Sequence, residues 1–173
     1  LFSIFKLWYA DTIFAKGQKA SELGNPRRAY NLLSGASELR AGEPFYLSEL
    51  GYAAAAAAAS LNDTDATLSA QLKDEALTAT DMTFKISPNN VSFWRSAVRT
   101  YFELGLMDQT LKALDKLISL APTDPKPYYN KALILDSLDK KEAAIEVLRK
   151  AIELKPNYLE AKEQLDEINS KSN

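Results

Sequence analysis

The chain has 173 residues, 46% of them hydrophobic and 25% charged, with 21 Lys and Arg against 23 Asp and Glu for a net charge of −2. This bounds it to one domain or one short array with apolar residues enough for a continuous core. The charge balance argues against nucleic acid, whose phosphates would need an excess of Lys and Arg. There is no cysteine and no histidine, which excludes disulfides, Cys/His zinc sites and any triad with an imidazole base.

The opening stretch, LFSIFKLWYADTIFA, is strongly apolar and lacks an initial Met. The chain is therefore expected to be a fragment or a processed product. The stretch is too short to span a bilayer alone, which takes roughly 20 apolar residues. As the tail of a longer span, it would attach the protein to a membrane through Leu1–Phe14. Periodicity predicts a helix over Phe2–Leu23 with Phe2, Phe5, Tyr9 and Ile13 facing a core. Ile4, Leu7, Trp8 and Phe14 then fall on other faces, a surplus that homodimerisation would also cover. Gly24-Asn25-Pro26 ends this helix and opens a second, with Asn25 as N-cap, carrying Ala29, Leu32, Leu33 and Ala36.

A third helix opens at Pro44 and runs through Leu47, Leu50 and Gly51 into seven alanines, Ala53–Ala59. Alanine combines the best helix propensity with the least bulk, so this segment reads as a helix approached closely by its neighbours. Asn62-Asp63-Thr64-Asp65 breaks the chain, with Asp65 as N-cap of a fourth helix through Leu68, Leu72, Ala76, Leu77, Thr80, Phe84 and Ile86. The fifth helix aligns Trp94, Val98 and Tyr101 and turns at Gly105. Asp108 caps the sixth, the seventh starts at Pro127, and the eighth carries Ala144, Ile145, Leu148, Ala151 and Ile152. A last helix from Leu159 sets Leu165 and Ile168 against Glu160, Glu163, Asp166 and Glu167, as a terminal cap requires.

Pro88, Pro122 and Pro156 are spaced 34 residues apart, and a fixed period of this length marks stacked helix–turn–helix units. Between them, one unit carries Trp94, Tyr101, a Leu104-Gly105 turn and Leu114, and the next carries Tyr128 and Leu148 at the matching places with Ala132, Ala144 and Ala151 as small residues at helix contacts. These residues resemble the tetratricopeptide repeat, with Thr110 and Leu117 as departures where the family has small residues. The resemblance implies an all-α, right-handed α-α superhelix of about four helix–turn–helix units plus a C-terminal capping helix. The units are 10–43, 44–90, 91–124 and 125–158, after an apolar lead-in at 1–9 and before a cap and tail at 159–173. The second unit is 13 residues longer than the period, which we read as lengthened helices because the added residues are helix formers. The lead-in followed by repeats is also similar to the C-terminal region of bacterial O-antigen ligase or polymerase-like membrane proteins. That similarity implies an accessory domain of a membrane-bound glycan-assembly protein and a bacterial, membrane-associated location; without it, a cytoplasmic one is expected.

In tetratricopeptide repeats the first helices of successive units line a groove. Carried onto this chain, the groove positions include Tyr52, Arg95, Arg99, Phe102, Lys126, Tyr129 and Asn130. Arg95 and Arg99 are one turn apart and can point at one ligand; with Lys126 and Asn130 they suit a carboxylate of a protein or peptide. The clamp of chaperone-binding members is matched only in part, since Arg95 replaces a lysine, Arg99 an asparagine, and the following unit offers Glu160 and Gln164. Acidic pairs such as Asp74–Glu75 are expected on exposed faces, without the desolvated pocket that acid–base catalysis needs. No catalytic residue, metal or cofactor is therefore expected, and the function read here is a protein-binding scaffold.

Overall fold

The computed structural model describes residues 2–171. Leu1, and the side chain of Phe2 expected in the core, lie outside the described residues. Nine helices, joined by short turns, account for the described fold: α1 (Phe2–Glu22), α2 (Pro26–Leu39), α3 (Pro44–Leu61), α4 (Ala66–Ile86), α5 (Val91–Glu103), α6 (Met107–Leu120), α7 (Pro125–Ser137), α8 (Lys141–Leu154) and α9 (Leu159–Lys171). The class is all-α, as the sequence implied. The chain divides into two compact units, Leu1–Leu106 and Met107–Asn173.

In the first unit, α1 and α2 pack through Ala10, Phe14 and Ala20 against Ala29, Leu33 and Ala36. Gly17 lies on the same face, where a Cβ would stand 2.7 Å from Leu33 Cγ. The core face of α1 thus differs from the expected Phe5, Tyr9 and Ile13: Ile13 is half-buried, but Phe5 and Tyr9 are exposed. Helix length explains this. α1 has 21 residues and α2 has 14, so an antiparallel partner is exhausted near Ala10 and the first turns of α1 project past it.

α3 and α4 are 18 and 21 residues long, against 13 and 14 for α5 and α6. The extra length of this hairpin therefore lies in its helices. Ala53, Ala54, Ala55, Ala57 and Ala58 are buried, and without bulk between the backbones Ser69 Oγ reaches across to donate to the Ala58 carbonyl at 2.9 Å. The expected apolar face of α4 needs correction, because Leu68 and Ile86 are exposed. Its buried face is Ser69, Leu72, Ala76, Ala79, Thr80 and Thr83. Thr80 and Thr83 satisfy their hydroxyls on the carbonyls of Ala76 and Ala79, each at 2.8 Å, which lets polar residues occupy the core side.

The caps follow the local chemistry. Asp65 accepts from Leu68 N, and Asn90 accepts from Ser92 N and Phe93 N. Asn25 stands at the N-cap position with Pro26 next to it, but its side chain makes no capping bond. Gly105 turns with φ +70°, a conformation that costs a residue without Cβ nothing. Trp94 stacks on Phe84 at 4.0 Å and donates from Nε1 to the Pro88 carbonyl at 2.8 Å.

In the second unit, α7 begins at Pro125, two residues before the expected start, because Asp124 caps Lys126 N and proline is well placed in a first turn. α6 begins at Met107, which puts Asp108 inside its first turn instead of at the cap; a carboxylate there still favours the positive end of the helix. Tyr128 donates to the Pro122 carbonyl at 3.0 Å, repeating one period later the link from Trp94 to Pro88. The core gathers Ala132, Leu135, Ala144, Leu148, Ala151, Tyr158, Ala161 and Ile168. Thr110 and Leu117, larger than the repeat pattern asks, are buried all the same. On α9, Ile168 is buried and Leu165 half-buried, while Glu160, Glu163, Asp166 and Glu167 are exposed, one edge for packing and one for water.

Candidate functional site

In the first unit the polar side chains with the most to offer a partner stand on α3 and α5. These helices pack directly together, and Ser96 Oγ donates to the Ser48 carbonyl at 3.0 Å, fixing their register. One turn beyond each serine, on the adjacent faces, come Tyr52 and Arg99. The Arg99 guanidinium carbon lies 3.6 Å from the centroid of the Tyr52 ring. Such a stack is worth about 0.5–1 kcal/mol at an exposed site. It occupies the face of the guanidinium and leaves the in-plane N–H donors at its edge, the part that binds carboxylates in pairs.

Glu49 sits one turn before Tyr52 and is half-buried. Burial pushes its carboxyl above the ordinary glutamate range, and the positive charge of Arg99 opposes this only in part. A carboxylate whose pKa is raised by folding costs stability when ionised. The cost is absent below the unfolded value and grows as pH rises through the folded one. Glu49→Gln should therefore raise the neutral-pH melting temperature, and the gain should vanish in acid; thermal melts across pH check this.

Arg95, one turn before Arg99, is exposed and already engaged by another group. Phe102 is exposed near the end of α5. In the second unit, Lys126 and Asn130 are exposed one turn apart on α7. Tyr129, between them, is half-buried with its ring 5.1 Å from that of Tyr158, so packing takes most of its surface. Of the residues chosen from sequence, the structure thus brings Tyr52 and Arg99 into contact and makes Tyr129 part of a core.

Two polar constellations escape sequence reasoning. Tyr46 donates to the Asp11 carboxylate, and Arg40 bridges Asp11 at 3.0 Å and Glu43 at 3.1 Å. The Tyr46 hydrogen bond, then Arg40, hold the Asp11 carboxyl below its ordinary range. Tyr30 donates to Glu75 at 2.7 Å; burial and this bond push the Tyr30 hydroxyl up to about 12. Glu75, expected on an exposed face, is half-buried. These groups consume one another's hydrogen bonds, so they tie helices together. Apart from Arg40 and Glu43, which are three residues apart on the chain, the paired members lie 29 to 45 residues apart, and no local spacing announces those contacts. Among the described residues, no three His, Cys, Asp or Glu converge as a metal site.

Residues 125–158 match the family described as Tetratricopeptide repeat. No curated protein matches the chain significantly. Among solved structures, the chain is similar to the MamA RS-1 ArsTM double mutant, with 21% identity, TM-score 0.67, and 95% of this chain and 85% of that one covered. It is also similar to MamA 41-end from Desulfovibrio magneticus RS-1, with 23% identity, TM-score 0.68, and coverage of 94% and 85%. A third likeness is to a chain in the crystal structure of the APC/C hetero-tetramer Cut9-Hcn1, with 22% identity, TM-score 0.62, and coverage of 92% and 29%. At these identities the likeness speaks for the fold alone. None of these similarities extends to an O-antigen ligase.

Proposed function

We propose that this tetratricopeptide-repeat protein is a non-catalytic interaction scaffold that holds an extended, carboxylate-bearing segment of a partner protein against α3 and α5. The observation that carries the reading is the Arg99–Tyr52 stack. A flexible arginine is held in one orientation before any ligand arrives, so less side-chain entropy is lost on binding. Its free edge favours a carboxylate, and the exposed ring of Phe102 adds apolar surface on the same helix.

Arrays of extended peptides varying in Asp and Glu content test this, with affinities measured by fluorescence anisotropy. Peptides retained by the wild type should be enriched in carboxylates. Arg99→Glu should weaken them at least tenfold, since a charge-assisted hydrogen bond contributes about 1.5–3 kcal/mol. Tyr52→Ala should weaken them less, because it frees the arginine without removing it. Unchanged affinity in a folded Arg99→Glu protein would put the binding surface elsewhere.

A further inference from the structure

We propose that the first turns of α1 dock on an anionic lipid bilayer, with Ile4–Tyr9 entering its interface and Lys16 meeting its headgroups. Five of six consecutive residues are large, apolar and in water: Ile4 is 72% exposed, Phe5 62%, Leu7 42%, Trp8 59% and Tyr9 47%. At about 100° per residue they sweep an arc of roughly 200° around the helix. A packed helix covers a stripe of about half that width, whereas a fluid interface wraps the whole arc.

The depth and the residue types agree. Six residues of helix rise about 9 Å, so an end-on approach would carry the whole apolar arc into the interface. No described helix is long and apolar enough to cross a membrane. The rings of Phe5, Trp8 and Tyr9 form one cluster, with centroids 5.7 Å and 6.5 Å from Phe5. Trp and Tyr are the side chains enriched at that level.

Charge selects the occupant. Along the face of α1 that carries Trp8, a shallow hollow is lined by Asp11, Thr12, Ala15, Lys16 and Lys19. Asp11 accepts from Tyr46 and shares Arg40 with Glu43, and Lys19 pairs with Glu22 at 3.0 Å. With Lys6 and Lys16 counted, the four cations Lys6, Lys16, Lys19 and Arg40 outnumber Asp11, Glu22 and Glu43 by one, so this end of the helix is slightly positive. Lys16 lies about 12 Å along the axis from Trp8, at the phosphates when the indole is at the interface. A second copy would bring the same positive charges together, which opposes pairing.

The test uses the whole chain and tryptophan emission. Trp8 and Trp94 are its two indoles, and Trp94 is stacked on Phe84. Phosphatidylcholine vesicles containing phosphatidylglycerol should shift wild-type emission to the blue and co-sediment with the protein; vesicles of phosphatidylcholine alone should do so weakly. Trp8→Phe should abolish the shift, and Lys16→Gln should lower partitioning roughly fivefold, the share of one lysine near an anionic surface. No shift with either vesicle, or the same shift in Trp8→Phe, would overturn the proposal. Equal binding to neutral vesicles would overturn its anionic part. A blue shift that grows with protein concentration without vesicles, with a dimer mass in sedimentation, would assign the surface to a second copy instead.

Discussion

Replacing Gly17 by valine should destabilise the first unit by about 3 kcal/mol, the upper end of what overpacking a close-fitted core costs. The β-carbon alone would stand 2.7 Å and 2.9 Å from two carbons of Leu33. Leu33 is only 1% exposed, so it has nowhere to retreat. Helix propensity favours most side chains over glycine by up to about 1 kcal/mol, too little to reverse the sign. Leu33→Ala alone should cost about 2–5 kcal/mol through its cavity. The double variant should lose clearly less than the sum, because the valine fills the space the leucine leaves. Urea denaturation of the four proteins measures this coupling. A Gly17→Val protein as stable as the wild type would mean that α1 and α2 do not meet at this residue.

The alanine run gives the second large effect. Ala54 is fully buried, whereas Ala59, five residues on in the same low-complexity stretch, faces water. Ala54→Leu must force α3 away from its neighbours and break contacts along the hairpin, at a cost of about 3 kcal/mol. In a chain of this size that lowers the melting temperature by roughly 6–12 °C. Ala59→Lys should fall within about 0.5 kcal/mol of the wild type, as surface substitutions do. Equal tolerance at both sites would show the run to be a spacer, not a packing surface.

Both predictions concern residues that the sequence marks as small without saying what they meet. The alanine run is legible as a place of close approach, because a helix without side-chain bulk has one evident physical use. The partners are not legible. Leu33 lies 16 residues from Gly17, and Thr80, which a Cβ at Gly51 would meet at 3.0 Å, lies 29 away.

The candidate site was half legible in the same sense. Tyr52 and Arg99 could be placed on first helices by repeat position, but their stacking depends on the register of α3 against α5, set by Ser96 and the Ser48 carbonyl. Tyr129 was placed with them by the same rule, yet it packs on Tyr158. Repeat position assigns a face; it does not say how much of that face a neighbour covers.

The sequence by itself determined the helical class, the period of 34 in its C-terminal half, and several helix ends. It could do so because proline, glycine and capping Asp or Asn act within a few residues of their own position. It also determined that the alanine run is helix with little bulk. Only the tertiary structure decided which face of α1 is core, because that depends on where α2 stops. It also decided that Glu75 and Asp11 are engaged structural groups and that Arg99 is held on Tyr52. Each of these is a contact across tens of residues, and the energy of such a contact lives in the distance between helices, which no local pattern records.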